Sequence, residues 1–115
     1  MAQWNANTVP KCEKGQWSDE VLVTVEIGRR CAVLKAIYIP YHGVTVEDSG
    51  WCMEDGIPDG WEYIDEKDDW WIPNGWYEVC DNCRDATYFR IDGKVTAWMN
   101  MPKPYEPRIK DLADF

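Results

Sequence analysis

Valines at positions 21, 23 and 25 alternate with Leu22, Thr24 and Glu26, a period of two in β-branched residues that predicts a strand. Ile27-Gly28-Arg29-Arg30 reads as a turn, and Cys31 to Ile39, rich in Val, Ile and Tyr, as the returning strand. A hairpin is therefore expected near residues 20–40. Pro40 ends it, and His42-Gly43 marks a loop. Residues 1–19 read as an irregular lead-in. Further along, Ala86 to Ile91 and Lys94 to Met99 flank Asp92-Gly93. Asp-Gly between two β-rich runs favours a type I′ turn, whose two central residues both take positive φ. A second hairpin is expected over 86–99. Pro102, Pro104 and Pro107 prevent ladder pairing beyond it. Arg108 to Phe115 place Ile109, Leu112 and Phe115 on one side of a short terminal helix, within a tail at 105–115.

The middle of the chain has no such regularity. Gly50, Gly56, Pro58, Gly60, Pro73 and Gly75 break residues 47–75 into short pieces. Trp51 to Met53 and Trp61 to Ile64 each fit a brief strand, Asp65 to Trp70 fits one helical turn, and Trp76 to Cys80 fits a further strand. The expected architecture is a single domain over 1–115, mainly β with α+β as the alternative. It is a small antiparallel sheet with hairpins near 20–40 and 86–99 and an acidic, loop-rich insertion at 47–75.

Charge sharpens that picture. The chain has 115 residues, 45% of them apolar, so a packed core is expected despite a net charge of -9. Between 47 and 69 lie ten acids: Glu47, Asp48, Glu54, Asp55, Asp59, Glu62, Asp65, Glu66, Asp68 and Asp69. Lys67 is the one base there, so this window carries the entire net charge and the rest of the chain is balanced. An acidic chain is disfavoured on nucleic-acid backbone and on anionic membrane. The first twenty residues hold no apolar run, and the longest apolar stretch, Cys31 to Tyr41, is interrupted by Lys35 and Pro40. Neither a signal peptide nor a span of roughly 20 residues is expected. The location expected is cytoplasmic, with the five cysteines as reduced thiols.

Few constellations carry chemistry. Cys80-Asp81-Asn82-Cys83 is a C-x-x-C, and two thiolates at that spacing can chelate zinc from a turn. Two further ligands would have to come from Cys12, Cys31, Cys52 or His42, each a singleton. Two thiols at a strand end is the simpler reading, so no cofactor is expected, with zinc through Cys80 and Cys83 as the alternative. Asp65-Glu66-Lys67-Asp68-Asp69 fails the calcium-loop pattern, with Lys67 third and Trp70 sixth. His42 is the one histidine, no nucleophile elbow accompanies it, and no phosphate-cradling glycine motif occurs. No catalytic residue is identified, and a non-enzymatic protein is expected.

Eight tryptophans stand against two phenylalanines. Trp17, Trp61, Trp71, Trp76 and Trp98 read as core in place of the scarce Phe. On a strand, Trp70 and Trp71 would point to opposite faces, one buried and one exposed. An exposed Trp ringed by acids has the composition of an interaction hot spot.

Val95-Thr96-Ala97-Trp98-Met99-Asn100-Met101-Pro102-Lys103-Pro104 resembles the C-terminal V-T-H-W-M-P-L-P-x-P-P motif of a phage- and prophage-encoded family of unknown function. Trp61-Glu62-Tyr63-Ile64, Trp71 to Val79 and Gly15 to Val23 are similar to further stretches of that family. Ala97 stands at the family's usual His position and Asn100 at its first Pro. The resemblance implies a phage or mobile-element origin and a small β-rich domain, and no reaction. Together these readings lead to the expectation of a phage-encoded interaction protein. Asp65, Glu66, Asp68, Asp69, Trp70 and Trp71 would contact a host protein with a basic nucleic-acid-binding surface, such as a defence nuclease, as anti-CRISPR proteins do. A zinc-binding or ligand-binding module is the alternative.

Overall fold

The computed structural model describes residues 3–81 and 85–105. Its elements are β1 (Asn5–Ala6), β2 (Val21–Ile27), β3 (Arg30–Ile39), α1 (Val46–Ser49), β4 (Glu62–Ile64), β5 (Asp69–Trp71), β6 (Gly75–Asp81), β7 (Ala86–Arg90) and β8 (Lys94–Asn100). Six strands form one sheet in the order β1-β8-β2-β3-β6-β7, and β4 and β5 form a separate two-stranded sheet. Every pairing is antiparallel. The chain is mainly β, as its alternating pattern predicts. The hairpin near 20–40 forms with Ile27 opposite Arg30. Gly28 has φ 61° and open space around the position a Cβ would take, as a two-residue turn beginning with glycine requires.

The hairpin expected over 86–99 does not form. β7 pairs with β6, while β8 crosses to pair with β2 and β1. Arg90 and Lys94 are four residues apart, a reach of at most roughly 14 Å, yet four strand spacings on a flat sheet would need about 19 Å. The sheet must therefore curl to bring β7 towards β8. The Ile91 amide donates to Trp76 O at 2.9 Å, continuing the β6–β7 ladder. Two residues later, a Cβ on Gly93 would lie 2.6 Å from Val25 Cγ1 and 2.7 Å from Glu26 O. Gly93 is thus needed for close approach to β2 and not for a positive φ.

Curling gives the sheet an inner and an outer face, each with its own core. The inner core is Val21, Val23, Val25 and Ala36, with Leu34, Trp76, Ile91, Val95 and Trp98 packed on it. The outer core is Ile37, Ile39, Val44, Ile72, Tyr77 and Val79, flanked by Trp17, Val46, Trp51, Trp61 and Tyr88. Val95 and Trp98 share the inner face although they are three apart, because the β2–β8 register slips between Thr24 and Val25. The extra residue is Thr96, a bulge that re-aims Trp98 inward.

The insertion is loop-rich, as expected, with residues 50–61 in no helix or strand, and it is nonetheless packed. It contributes Trp51, Trp61 and Ile72 to the outer core, beside Val44 just ahead of it. The Ile72 amide donates to Val44 O at 3.0 Å, and Thr45 bridges to Trp71. Thr45 caps α1, its side chain accepting from the Asp48 amide. Trp51 to Met53 is not a strand, and the helical turn expected over Asp65 to Trp70 is instead a turn at 65–68 leading into β5. The lead-in is tied down: β1 pairs with β8, and Ser18, buried, accepts from the Tyr38 amide at 2.8 Å. The expected terminal helix, Arg108 to Phe115, lies outside the described residues.

Candidate interaction face and aromatic cleft

The β4–β5 hairpin carries most of the residues singled out from the sequence. Its register sets Glu62 opposite Trp71, Tyr63 opposite Trp70 and Ile64 opposite Asp69. Side chains alternate across a strand, so Tyr63 and Trp70 share one face while Glu62 and Trp71 share the other. On the first face the Tyr63 and Trp70 rings lie 4.9 Å apart. The Tyr63 hydroxyl donates to Asp68 Oδ1 at 2.5 Å. That bond is the main cause that raises its pKa, with desolvation and the charges of Asp68 and Asp65 adding to it. Tyr63 is 43% exposed. Asp65, Glu66 and Asp68 are exposed in the turn, and Asp68 has φ 49°, a conformation that Asp tolerates better than most residues.

Asp69 is different from its neighbours. It is 6% exposed, and its Oδ1 accepts from the amides of Trp70 at 2.8 Å and Glu47 at 3.3 Å. It ties the start of α1 to β5 and is turned away from solvent. The other nine acids of the 47–69 window are exposed. Trp70 and Trp71 do not divide into one buried and one exposed: both are half-buried. Trp70 lies against Tyr63. Trp71 stacks on His42 with centroids 4.6 Å apart and planes 13° from parallel, and His42 stacks in turn on Tyr41 at 4.0 Å. His42 Nε2 is 2.6 Å from Glu62 Oε2. His42 has φ 51°, a strained position costing about 1–2 kcal/mol. The stack and the carboxylate hold it in the turn where the Gly43 amide meets Pro40 O at 3.0 Å. Tyr41, His42, Glu62 and Tyr63 were not expected here. The Pro-Tyr-His-Gly string marked a turn, and nothing local showed that it would meet Trp71.

A second feature lies where the insertion meets β7. A cleft of about 650 Å³ is lined by Trp51, Met53, Pro58, Trp61, Tyr77 and Tyr88, with β7 as one wall. Trp51 stacks on Tyr88 at 5.2 Å and lies tilted against Trp17 and Tyr77, each at 5.6 Å. Its Nε1 is buried without a hydrogen-bond acceptor. Of the five tryptophans expected in the core, Trp17, Trp61, Trp76 and Trp98 pack against a core and Trp71 stacks on His42 instead.

Of the two thiols considered for zinc, Cys80 is exposed on β6 and Cys83 lies outside the described residues. The Cys80 thiol is pushed up, by desolvation first and then by Glu78 and Asp81, which disfavours the thiolate a metal needs. Among the described residues no three His, Cys, Asp or Glu side chains gather as a metal site. Cys12 Sγ donates to Tyr38 O at 3.6 Å, and its thiol is likewise raised, by burial and then by Asp19. No described helix is long and apolar enough to cross a membrane. No protein-family model, curated protein or solved structure matches the chain.

Proposed function

We propose that this chain is a non-enzymatic interaction protein that docks through the acid- and aromatic-bearing side of its insertion onto a basic, nucleic-acid-binding surface of a host protein. The observation that carries the reading is the segregation of charge. Nine exposed acids and one base, Lys67, lie on a single segment, while the rest of the chain is balanced. Carboxylates spaced along a surface can meet Lys and Arg side chains that otherwise bind phosphates. Tyr63, exposed beside Asp65, Glu66 and Asp68, supplies an amphipathic ring of the kind enriched at interface centres. Charge of one sign also speeds encounter with an oppositely charged partner.

The resemblance of Val95 to Pro104 to a phage-encoded motif accords with a bacterial cytoplasmic setting, and within that setting we read the acidic face as counter-defence, inhibition of a host nuclease. Inside the fold that motif is structural: the Trp98 indole donates to Thr8 Oγ1 at 3.1 Å, and Ala97 lies mid-strand between Ala6 and Thr24. The test is a triple variant, Asp65→Asn, Glu66→Gln and Asp68→Asn, which leaves the buried Asp69 in place. Wild type should capture nucleic-acid-binding proteins from a bacterial lysate, release them to added DNA, and block cleavage by any captured nuclease. The triple variant, folded, should lose all three. Equal capture by the variant rejects the reading.

A further inference from the structure

The two edges of the large sheet are treated differently. The β8 edge is covered by β1, with the Asn5 side chain donating to Trp98 O at 3.3 Å. β7 pairs with β6 on one side only among the described residues. Which backbone groups it presents follows from the register. Ile91 and Trp76 form a hydrogen-bonded pair, so hydrogen-bonded pairs alternate through Phe89 and Thr87. The N–H and C=O groups of Ala86, Tyr88 and Arg90 therefore point away from β6. Exposed edges are normally blunted by charged side chains, Pro or a bulge, and Ala-Thr-Tyr-Phe-Arg carries a single charge, Arg90, at its end, with its guanidinium bonded to Asn74 O. Phe89 is 56% exposed on this strand. Tyr88, on the opposite face, forms part of the aromatic cleft.

We propose that β7 and this cleft receive an extended segment of a partner protein as an added strand, in which apolar residues alternate with Lys or Arg. The added backbone takes up the outward groups of Ala86, Tyr88 and Arg90, the main-chain part of strand addition. On the cleft side the Lys or Arg side chains lay their apolar stems against Trp61, Met53 and Tyr88, while the alternate apolar side chains lie on the Phe89 face. Charge complementarity selects the occupant. Met53 and Pro58 line the cleft, and the adjoining Glu54, Asp55 and Asp59 are exposed, with no ion-pair partner among the described residues. The one cation at the cleft, Arg90, donates to Asn74 O at 3.0 Å. A second copy pairing through its own β7 would set its Glu54, Asp55 and Asp59 beside these like charges and is disfavoured. This inference stands apart from the hairpin-face reading, since it uses none of Asp65, Glu66 or Asp68.

The probe is a seven-residue capped peptide of alternating lysine and valine, with a glutamate-for-lysine counterpart. Amide exchange and chemical shifts of the full chain give the readout. In the protein alone, the Tyr88 and Arg90 amides should exchange quickly and those of Thr87 and Phe89 slowly. The lysine peptide should slow Tyr88 and Arg90 by roughly tenfold or more, as added ladder bonds do. N-methylating one alternate set of its amides should abolish binding and the other set should not. The E54Q/D55N/D59N variant should bind it several-fold more weakly. Protection of Tyr88 and Arg90 in the protein alone would overturn the proposal, because the chain's own tail or a second copy would then hold the edge. So would equal binding of the glutamate peptide, equal effects of the two methylation sets, or no binding at about 1 mM peptide.

Discussion

Replacing Asp69 should do what replacing its three acidic neighbours does not. Asp69 is buried, and its Oδ1 takes the amides of Trp70 and Glu47. Asp69→Ala strands both donors next to the Trp71–His42 stack. A hydrogen bond to a charged group is worth roughly 1.5–3 kcal/mol. The 3.3 Å contact to Glu47 is the weaker of the two, so the expected total is about 2–4 kcal/mol. With a urea m-value of roughly 1–3 kcal/mol/M, that moves the unfolding midpoint down by on the order of 1–2 M. The triple variant at Asp65, Glu66 and Asp68 should stay within about 0.5 kcal/mol of wild type, as exposed substitutions do. Asn at 68 keeps an oxygen for the Tyr63 hydroxyl and tolerates the positive φ. Urea titration followed by tryptophan fluorescence measures both. If Asp69→Ala unfolds at the triple variant's midpoint, the assignment of Asp69 to the fold is wrong. The comparison bears on function as well, since lost binding in any variant lacking Asp69 would report unfolding and not a lost contact.

Gly93→Ala should cost about 1–3 kcal/mol, because its Cβ would meet the Val25 side chain and the backbone oxygen of Glu26. Gly28→Ala, with only its positive φ against it, should cost about 1 kcal/mol, and urea midpoints in the reverse order would refute the close-approach argument. Burial holds the Tyr77 hydroxyl above the ordinary tyrosine range, against the opposing pull of Arg90. The folded chain keeps that proton where the unfolded chain releases it. This contribution is therefore complete below about pH 10 and is lost as pH rises through the raised folded value. Tyr77→Phe should cost about 1 kcal/mol at neutral pH for the bond to Pro73 O and should flatten the alkaline decline, as measured by urea titration at both pH values. His42→Ala removes two ring stacks and the Glu62 contact, worth about 1–2 kcal/mol together. Faster amide exchange across β4–β5 with β2–β3 unchanged is the expected result, and uniform acceleration would contradict a local clasp.

The hairpin of β2 and β3 was legible in the sequence because its signals are local: alternating valines, a glycine at the turn, and a proline after the last strand residue. The segregation of charge was equally legible, since it is a count along the chain. Asp92-Gly93 looked like the stronger hairpin signal and misled, because the same glycine serves a turn or a close approach, and only the proximity of Val25 distinguishes them. Asp68 and Asp69 are the same residue type side by side. One is solvated in the 65–68 turn and the other buried at the first position of β5, where it meets α1 through the Glu47 amide, 22 residues upstream. Alternation likewise put Val95 and Trp98 on opposite faces until the bulge at Thr96 reversed one of them.

Composition and periodicity by themselves determined a mainly β chain, its first hairpin, and an acid-rich segment set into a balanced scaffold. The tertiary structure alone decided that this segment is a packed cover over the outer face of a curled sheet. It also decided that Asp69 is buried, that Trp71 stacks on His42, and that β7 pairs on one side only among the described residues, beside an aromatic cleft. The reason is physical: strand propensity and turn chemistry act over a few residues, whereas the partner of a strand edge and the burial of a side chain are set by contacts between segments far apart in the chain.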